Sequence, residues 1–188
     1  MRIVGGKFRG KKLIAPEGQD LRPTSDRARE SIFNILAHGK AAMDLDGITV
    51  ADMFCGTGAL GLEAMSRGAA HGVFADRNPA HLKIAKDNAA AMGFWRECLM
   101  LGLDCTHLVI PPRAAKTPAA LAFLDPPYGQ GMADPALRGL ANNNWLTDDA
   151  TVVVEVGADE DLKGTRGFET LDERTYGAAK VYFLKRLA

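Results

Sequence analysis

The run Asp125-Pro126-Pro127-Tyr128 is the most chemically specific stretch of the chain. Two adjacent prolines fix the backbone and remove two N–H donors. They also push the residue before each of them away from helix. Asp125 and the carbonyl of Pro126 become rigid acceptors side by side, which suits a nitrogen carrying two N–H donors, such as an exocyclic amine. That nitrogen is a poor nucleophile because its lone pair is delocalised into a ring. To attack an electrophilic carbon it must become more tetrahedral, and acceptors arranged for that geometry favour the transition state over the planar ground state. The released proton can pass to Asp125 or to water. Tyr128 adds a flat face on which a base can stack.

A second candidate is Asp52-Met53-Phe54-Cys55-Gly56-Thr57-Gly58-Ala59-Leu60-Gly61. Its glycines permit a tight turn and a close backbone approach by a ligand. Gly56, Gly58 and Gly61 match a dinucleotide fingerprint, but Asp52 argues for a different ligand. A carboxylate at this turn repels a pyrophosphate and attracts a cation. S-adenosyl-L-methionine carries a sulfonium and an ammonium and has no phosphate. Asp76 follows 15 residues after Gly61, where a carboxylate can accept from both ribose hydroxyls of a nucleoside.

These residues need a scaffold, and the hydrophobic pattern supplies one. Ile48–Ala51, Gly72–Ala75, Cys98–Leu101, Ala119–Leu124 and Thr151–Val154 read as buried strands, with helices between most of them. One helix runs through Leu60 and Met65, one from Pro79 to about Met92, and one carries Leu137 and Leu140. Alternating strands and helices predict an α/β fold with a mostly parallel sheet covered on both faces. Phe168–Leu171 and Val181–Leu184 are expected to form an antiparallel pair at the edge. Ligands of such sheets bind beyond the carboxyl ends of the strands, where strand order reverses. Both candidate motifs follow strands directly. Before the first strand, Arg2–Val4 and Lys12–Ile14 suggest a short β-hairpin. Pro16–Pro23 is a polar linker, and Thr24 or Ser25 caps a helix with Ala28, Ile32, Ile35 and Leu36 on its apolar face.

With 188 residues, 47% of them hydrophobic, the chain can bury one core. The opening residues lack an apolar stretch and no run is long enough to span a membrane, so a cytoplasmic protein is expected. Cys55, Cys98 and Cys105 read as reduced thiols, and no metal site is expected. The formal charge is zero, yet residues 1–29 hold eight basic and three acidic side chains, a surplus of five balanced by the acidic remainder. A basic end on an acidic body is a footprint for phosphate, although charge runs are also often plain solvated surface. Phe94, Trp95 and Trp145 offer aromatic faces but are expected mainly in packing, as are His38, His71, His81 and His107.

The pattern Asp52-x-Phe54-Cys55-Gly56-x-Gly58 resembles the cofactor loop of class I methyltransferases. Asp125-Pro126-Pro127-Tyr128 resembles the motif of amino-methyltransferases acting on DNA, RNA or protein glutamine, of which the glutamine group usually has Asn at the first position. Together with Arg2-Ile3-Val4-Gly5-Gly6-Lys7-Phe8-Arg9-Gly10 and Leu21-Arg22-Pro23-Thr24-Ser25-Asp26-Arg27-Ala28-Arg29-Glu30, these motifs resemble the bacterial 16S ribosomal RNA guanine-N2-methyltransferase family. The resemblance implies a Rossmann-like class I methyltransferase domain with a seven-stranded, mostly parallel sheet, and S-adenosyl-L-methionine as cofactor. It implies methylation of a guanine N2 in 16S ribosomal RNA, within the small subunit or an assembly intermediate. It places Asp104 near the adenine, where a plain cap is the competing role. Residues 1–23 would be a basic hairpin and linker that contacts RNA, and residues 24–188 the methyltransferase domain. Arg2, Lys7, Arg9, Arg22, Arg27 and Arg29 would neutralise phosphates around a flipped-out nucleotide. Gly129-Gln130-Gly131 would form a mobile loop over it, and a monomer is expected. Three other readings fit parts of the pattern: a DNA adenine-N6 methyltransferase, a nicotinamide-dependent oxidoreductase, and a non-catalytic RNA-binding assembly factor.

Overall fold

A computed structural model describes residues 1–15, 25–163 and 165–188. Seven strands form one sheet: β1 (Thr49–Met53), β2 (His71–Asp76), β3 (Cys98–Gly102), β4 (Ala119–Leu124), β5 (Leu146–Gly157), β6 (Phe168–Tyr176) and β7 (Ala179–Arg186). Their order is β3-β2-β1-β4-β5-β7-β6. The first five are parallel. β7 runs antiparallel to both β5 and β6, so the reversed strand lies one place in from the edge and β6 forms the edge itself. The expected α/β fold with seven strands is present. Strand order reverses between β1 and β4, and that is where the chain's two motifs emerge.

Alternation along the strands divides the core in two. On β4, Leu121 and Phe123 face one cluster while Ala122 and Leu124 face the other. The first face is covered by α1 (Asp26–His38), α2 (Ala59–Ser66) and α3 (Pro79–Ala91). The second is covered by α4 (Ala133–Asn142) and by 3-10 turns around Cys105 and Ala115. Trp145 is 1% exposed in this second cluster, and its indole N–H donates to the Val109 carbonyl at 2.8 Å. A fully buried indole keeps its polar edge paired in this way. Among the described residues, no helix is long and apolar enough to cross a membrane.

The helix ends follow from sequence. Ser25 caps α1, its hydroxyl accepting from the Ala28 N–H, and Gly39 closes the helix. Asn78 caps α3, whose first residue is Pro79, a position where the missing N–H costs nothing. The buried face of α1 is rotated from the expected one: Arg29, Ile32, Phe33 and Leu36 point inward, while Ala28 and Ile35 are only half-buried. The cause is a buried carboxylate, Glu63 on α2, which draws Arg29 inward.

The expected N-terminal hairpin is present in short form: Arg2 and Lys12 bridge antiparallel, Ile3 N–H donates to the Lys11 carbonyl, Leu13 N–H to that of Met1 and Gly10 N–H to that of Ile3, around a 3-10 turn at Gly6–Phe8. The turn is also pinned to α2. Val4 N–H donates to Glu63, Phe8 N–H donates to the Ser66 hydroxyl, and that hydroxyl donates to the Gly5 carbonyl. Gly6 takes φ of +71°, and a Cβ there would lie 2.0 Å from the Ser66 carbonyl oxygen. Ile3 and Leu13 are buried in the same cluster as α1 and α2.

Candidate functional site

The loop between β1 and α2 coils tightly over the carboxyl end of the sheet. Phe54, Gly56 and Gly58 all have positive φ, at 60°, 53° and 77°. A non-glycine residue held in the left-handed region costs free energy and tends to occur at ligand-binding turns. Cys55 N–H donates to the Ala75 carbonyl, and Gly58 N–H donates to the Cys55 carbonyl. Gly61 has a packing role: a Cβ there would meet Phe74 Cε1 at 2.5 Å, so glycine lets α2 lie close on β2.

Two carboxyl groups brace this loop from below. Asp52 is 2% exposed and accepts from Gly61 N–H at 2.8 Å. Burial pushes its carboxyl up to about 8, helped by the nearby Asp76 charge and opposed by the Gly61 hydrogen bond. Near neutrality it therefore keeps its proton until a cation enters beside it. Asp76 accepts from Gly56 N–H at 3.1 Å and from Asn78 N–H at 2.8 Å, with His81 Nδ1 at 3.1 Å. Two oxygens with four lone pairs leave it capacity for a further donor. Burial also raises the Cys55 thiol well above its ordinary value, which removes it as a nucleophile.

Asp104 stands just beyond β3 and turns onto its own segment. It accepts from the Thr106 N–H and hydroxyl, contacts His107, and caps the 3-10 turn Cys105–His107. These hydrogen bonds hold its carboxyl down at about 2.

Asp125 follows the last residue of β4. Leu124 is in register with Met53 on one side and Val154 on the other. Phe54, Asp125 and Glu155 therefore stand at the same level on three adjacent parallel strands, the first two just past β1 and β4 and Glu155 two residues before the end of β5. Asp125 and Tyr128 are half-buried, Pro126 is buried and Pro127 is exposed. The Tyr128 hydroxyl donates to Glu155 in a short hydrogen bond, and Gly129 N–H donates to Glu160. The Gly129–Gly131 loop is thus tied at its first residue.

The basic residues separate into two groups. Arg2, Lys7, Arg9 and Arg27 are exposed. Arg2, Arg9 and Arg27 border a cavity of about 330 Å³ between the N-terminal turn and α1, with Asp26 and Glu30 on its rim. Arg29, expected beside them, is 0% exposed. Its guanidinium pairs with Asp26 at 2.7 Å, lies 3.7 Å from Glu63, and donates to the Arg2 carbonyl. It is spent inside the protein, and as it stands no phosphate reaches it. Arg22 and the linker around it lie outside the described residues.

Several residues were unnoticed in the sequence or, like His81 and Trp95, expected only in packing. His81 joins Asp76 from the first turn of α3. Asn88 donates to the carbonyls of Thr57 and Ile14 and accepts from Ile14 N–H, tying the N-terminal segment to the glycine loop. Glu63 had a signal, being a lone carboxylate in the otherwise apolar helix Ala59–Ser66. Glu155 had a better one: it closes an apolar run near the carboxyl end of its strand, as Asp52 and Asp76 do. Trp95 is 61% exposed with the Arg96 guanidinium 4.5 Å over its ring.

The glycine cradle, the buried acid beneath it and the spare acceptor capacity of Asp76 fit a cationic nucleoside such as S-adenosylmethionine. The family model described as "Conserved hypothetical protein 95" matches residues 1–185. "Ribosomal RNA small subunit methyltransferase D" of Escherichia coli K12 is 36% identical over 155 residues, 82% of this chain and 74% of that protein. The solved structure of yhhF from Escherichia coli superposes with a TM-score of 0.82 at 27% identity, covering 100% of this chain and 98% of the other. An RNA methyltransferase from Salinibacter ruber, solved with S-adenosyl-L-homocysteine, has the same fold, with a TM-score of 0.59 at 15% identity over 88% of this chain and 94% of that one.

Proposed function

From the premise that the chain belongs to the conserved hypothetical protein 95 family, we propose that it methylates the exocyclic N2 amino group of a guanine in 16S ribosomal RNA, using S-adenosyl-L-methionine. Its Escherichia coli relative is named as a small-subunit ribosomal RNA methyltransferase. The observation that carries the chemistry is the shared register of β1 and β4, Met53 with Leu124, which sets the glycine loop and Asp125 side by side at the carboxyl end of the sheet.

In this reading Asp52, Phe54, Cys55, Gly56, Gly58 and Asp76 hold the cofactor, with Asp104 at the adenine end. S-adenosylmethionine, when bound, supplies an electrophilic methyl group on a sulfonium. Asp125 and the Pro126 carbonyl accept the two N–H bonds of the target amine and favour its tetrahedral geometry. Pro127 keeps that segment rigid, and Tyr128 stacks on the base and holds it in line. The proton leaving nitrogen passes to Asp125 or to water. Arg2, Lys7, Arg9 and Arg27 engage phosphates near the flipped nucleotide, and Arg22 completes that set. The division into a basic arm, residues 1–23, and a methyltransferase domain, residues 24–188, is one of function. In packing, Ile3 and Leu13 belong to the domain's core. The protein acts as a cytoplasmic monomer on the small subunit or its assembly intermediate.

The test is transfer of labelled methyl to small subunits, and to their stripped RNA, from cells lacking the enzyme. The expected product is N2-methylguanosine, absent with Asp125→Ala while cofactor binding persists. Label in N6-methyladenosine of DNA, with none in ribosomal RNA, would overturn the proposal.

A further inference from the structure

The end of β5 bears on the same site from a side that the catalytic motif does not explain. Glu155 is 6% exposed, yet it carries a carboxyl group where three valines precede it. Burying such a group costs free energy unless it is hydrogen-bonded, and an apolar residue would serve the sheet as well. Its Oε1 takes the hydroxyl of Tyr128. Three residues beyond the strand, Glu160 takes Gly129 N–H. That turn is itself anchored: Glu160 N–H donates to the Gly157 carbonyl, and Lys180 on β7 donates to the Glu160 carbonyl and to Asp161, both at 3.1 Å.

Gly129 and Gly131 both have positive φ, and a Cβ at either would meet nothing within 4 Å. The phenol oxygen lies at the far end of the Tyr128 side chain. An acceptor fixed there limits the swing of the side chain about its Cα–Cβ bond and so sets where the ring stands.

We propose that Glu155 is a positioning residue for the methyl-transfer reaction, its carboxylate fixing where the Tyr128 ring stands for the target base to stack on. This rests on the reading of Tyr128 given under Proposed function. Glu155 forms no bond to the base in this scheme and acts through the tyrosine. A misplaced stacking surface lowers the fraction of bound substrate in line for attack, so the loss falls on kcat. Cofactor affinity, set by β1 and β2, does not change.

Four full-length variants test it: Glu155→Leu, Glu155→Gln, Tyr128→Phe and the double Glu155→Leu/Tyr128→Phe. Small ribosomal subunits from cells lacking the enzyme serve as substrate. Glu155→Leu is expected to lower kcat on the order of tenfold, because small misplacements near a reacting centre carry losses of this size. Its KM for S-adenosylmethionine should stay within about twofold of wild type. Glu155→Gln keeps a carbonyl acceptor for the hydroxyl and should recover most of the rate. The double variant should be no slower than Tyr128→Phe alone, since both changes remove one interaction. Tyr128→Phe or a folded Glu155→Leu at the wild-type kcat would overturn the proposal, as would losses that simply multiply in the double variant. Fluorotyrosine-labelled protein gives a readout that needs no substrate. The Tyr128 fluorine resonance, assigned by its loss in Tyr128→Phe, should shift or broaden in Glu155→Leu. An unchanged resonance sinks the positioning role whatever the substrate. A changed resonance in a protein that methylates no ribosomal RNA sinks the substrate reading alone.

Discussion

Replacing Asp52 by asparagine should stabilise the fold in a pH-dependent way while weakening the cofactor site. The Asp52 carboxyl is pushed up to about 8 by burial, against an ordinary value of 3.8. Between pH 6 and pH 8 the folded protein keeps a proton that the unfolded chain has already released. A raised carboxyl contributes stability that is complete below the unfolded value, near pH 4, and is lost as pH rises through 8. The slope in that window approaches −1.4 kcal/mol per pH unit, and integration from pH 6 to pH 8 gives a loss of about 2 kcal/mol. The amide in the Asp52→Asn variant does not titrate, and its oxygen can still accept from Gly61 N–H. Urea unfolding of both proteins at pH 6, 7 and 8 measures the difference directly. The stability advantage of Asp52→Asn should grow by about 2 kcal/mol across the window, roughly 4–8 °C in Tm for a chain of this length. Other titrating groups cancel in the comparison. Parallel curves would refute the reasoning, for they would mean that the buried carboxyl is already ionised in the fold. Cofactor binding should move oppositely: an amide has no charge to offer a sulfonium or ammonium, so equilibrium dialysis should show weaker S-adenosylmethionine binding by the variant.

Four further outcomes are expected. Gly61→Ala should lower stability by about 1–3 kcal/mol in thermal unfolding, because its Cβ meets Phe74 at 2.5 Å and overpacks the α2–β2 contact. Arg29→Met should cost about 3–5 kcal/mol in urea unfolding, because the buried Glu63 carboxylate then keeps only Arg67 of its two guanidinium neighbours. By contrast, Arg9→Ala and Arg27→Ala should leave Tm unchanged and each flatten the salt dependence of RNA binding by about 0.7 in log–log slope. Iodoacetamide at pH 8 should leave Cys55 and Cys105 unmodified in the native protein and alkylate both after unfolding, since burial raises both thiols, that of Cys105 to about 12. Rapid native labelling of Cys55 would contradict its place under the glycine loop.

Much of the architecture was legible in the sequence because it depends on local periodicity. Apolar runs of four to six residues set between helical patterns give a parallel sheet, and the Ser25 cap and Pro79 mark helix starts without tertiary help. The candidate site was legible for a related reason. Asp52, Asp76 and Asp125 each lie at or beside the carboxyl end of a strand, where such sheets gather ligands, so one-dimensional position stood in for three-dimensional proximity. Glu155 obeys the same rule and was available to it. The roles of charged residues were not legible. Arg29 lies among exposed arginines in the sequence and has the same side chain, but Glu63, 34 positions away, turns it into the core. The N-terminal segment shows the same limit: its hairpin was legible, but the hydrogen bonds that tie it to Glu63 and Ser66 on α2 and to Asn88 on α3 were not. Sequence determined which elements form and which residues close their ends, because those depend on neighbours a few positions apart. Tertiary structure alone decided which charges are buried and paired, and which remain for a substrate. A charge's free energy depends on its dielectric surroundings and on partners that only the folded chain brings within reach.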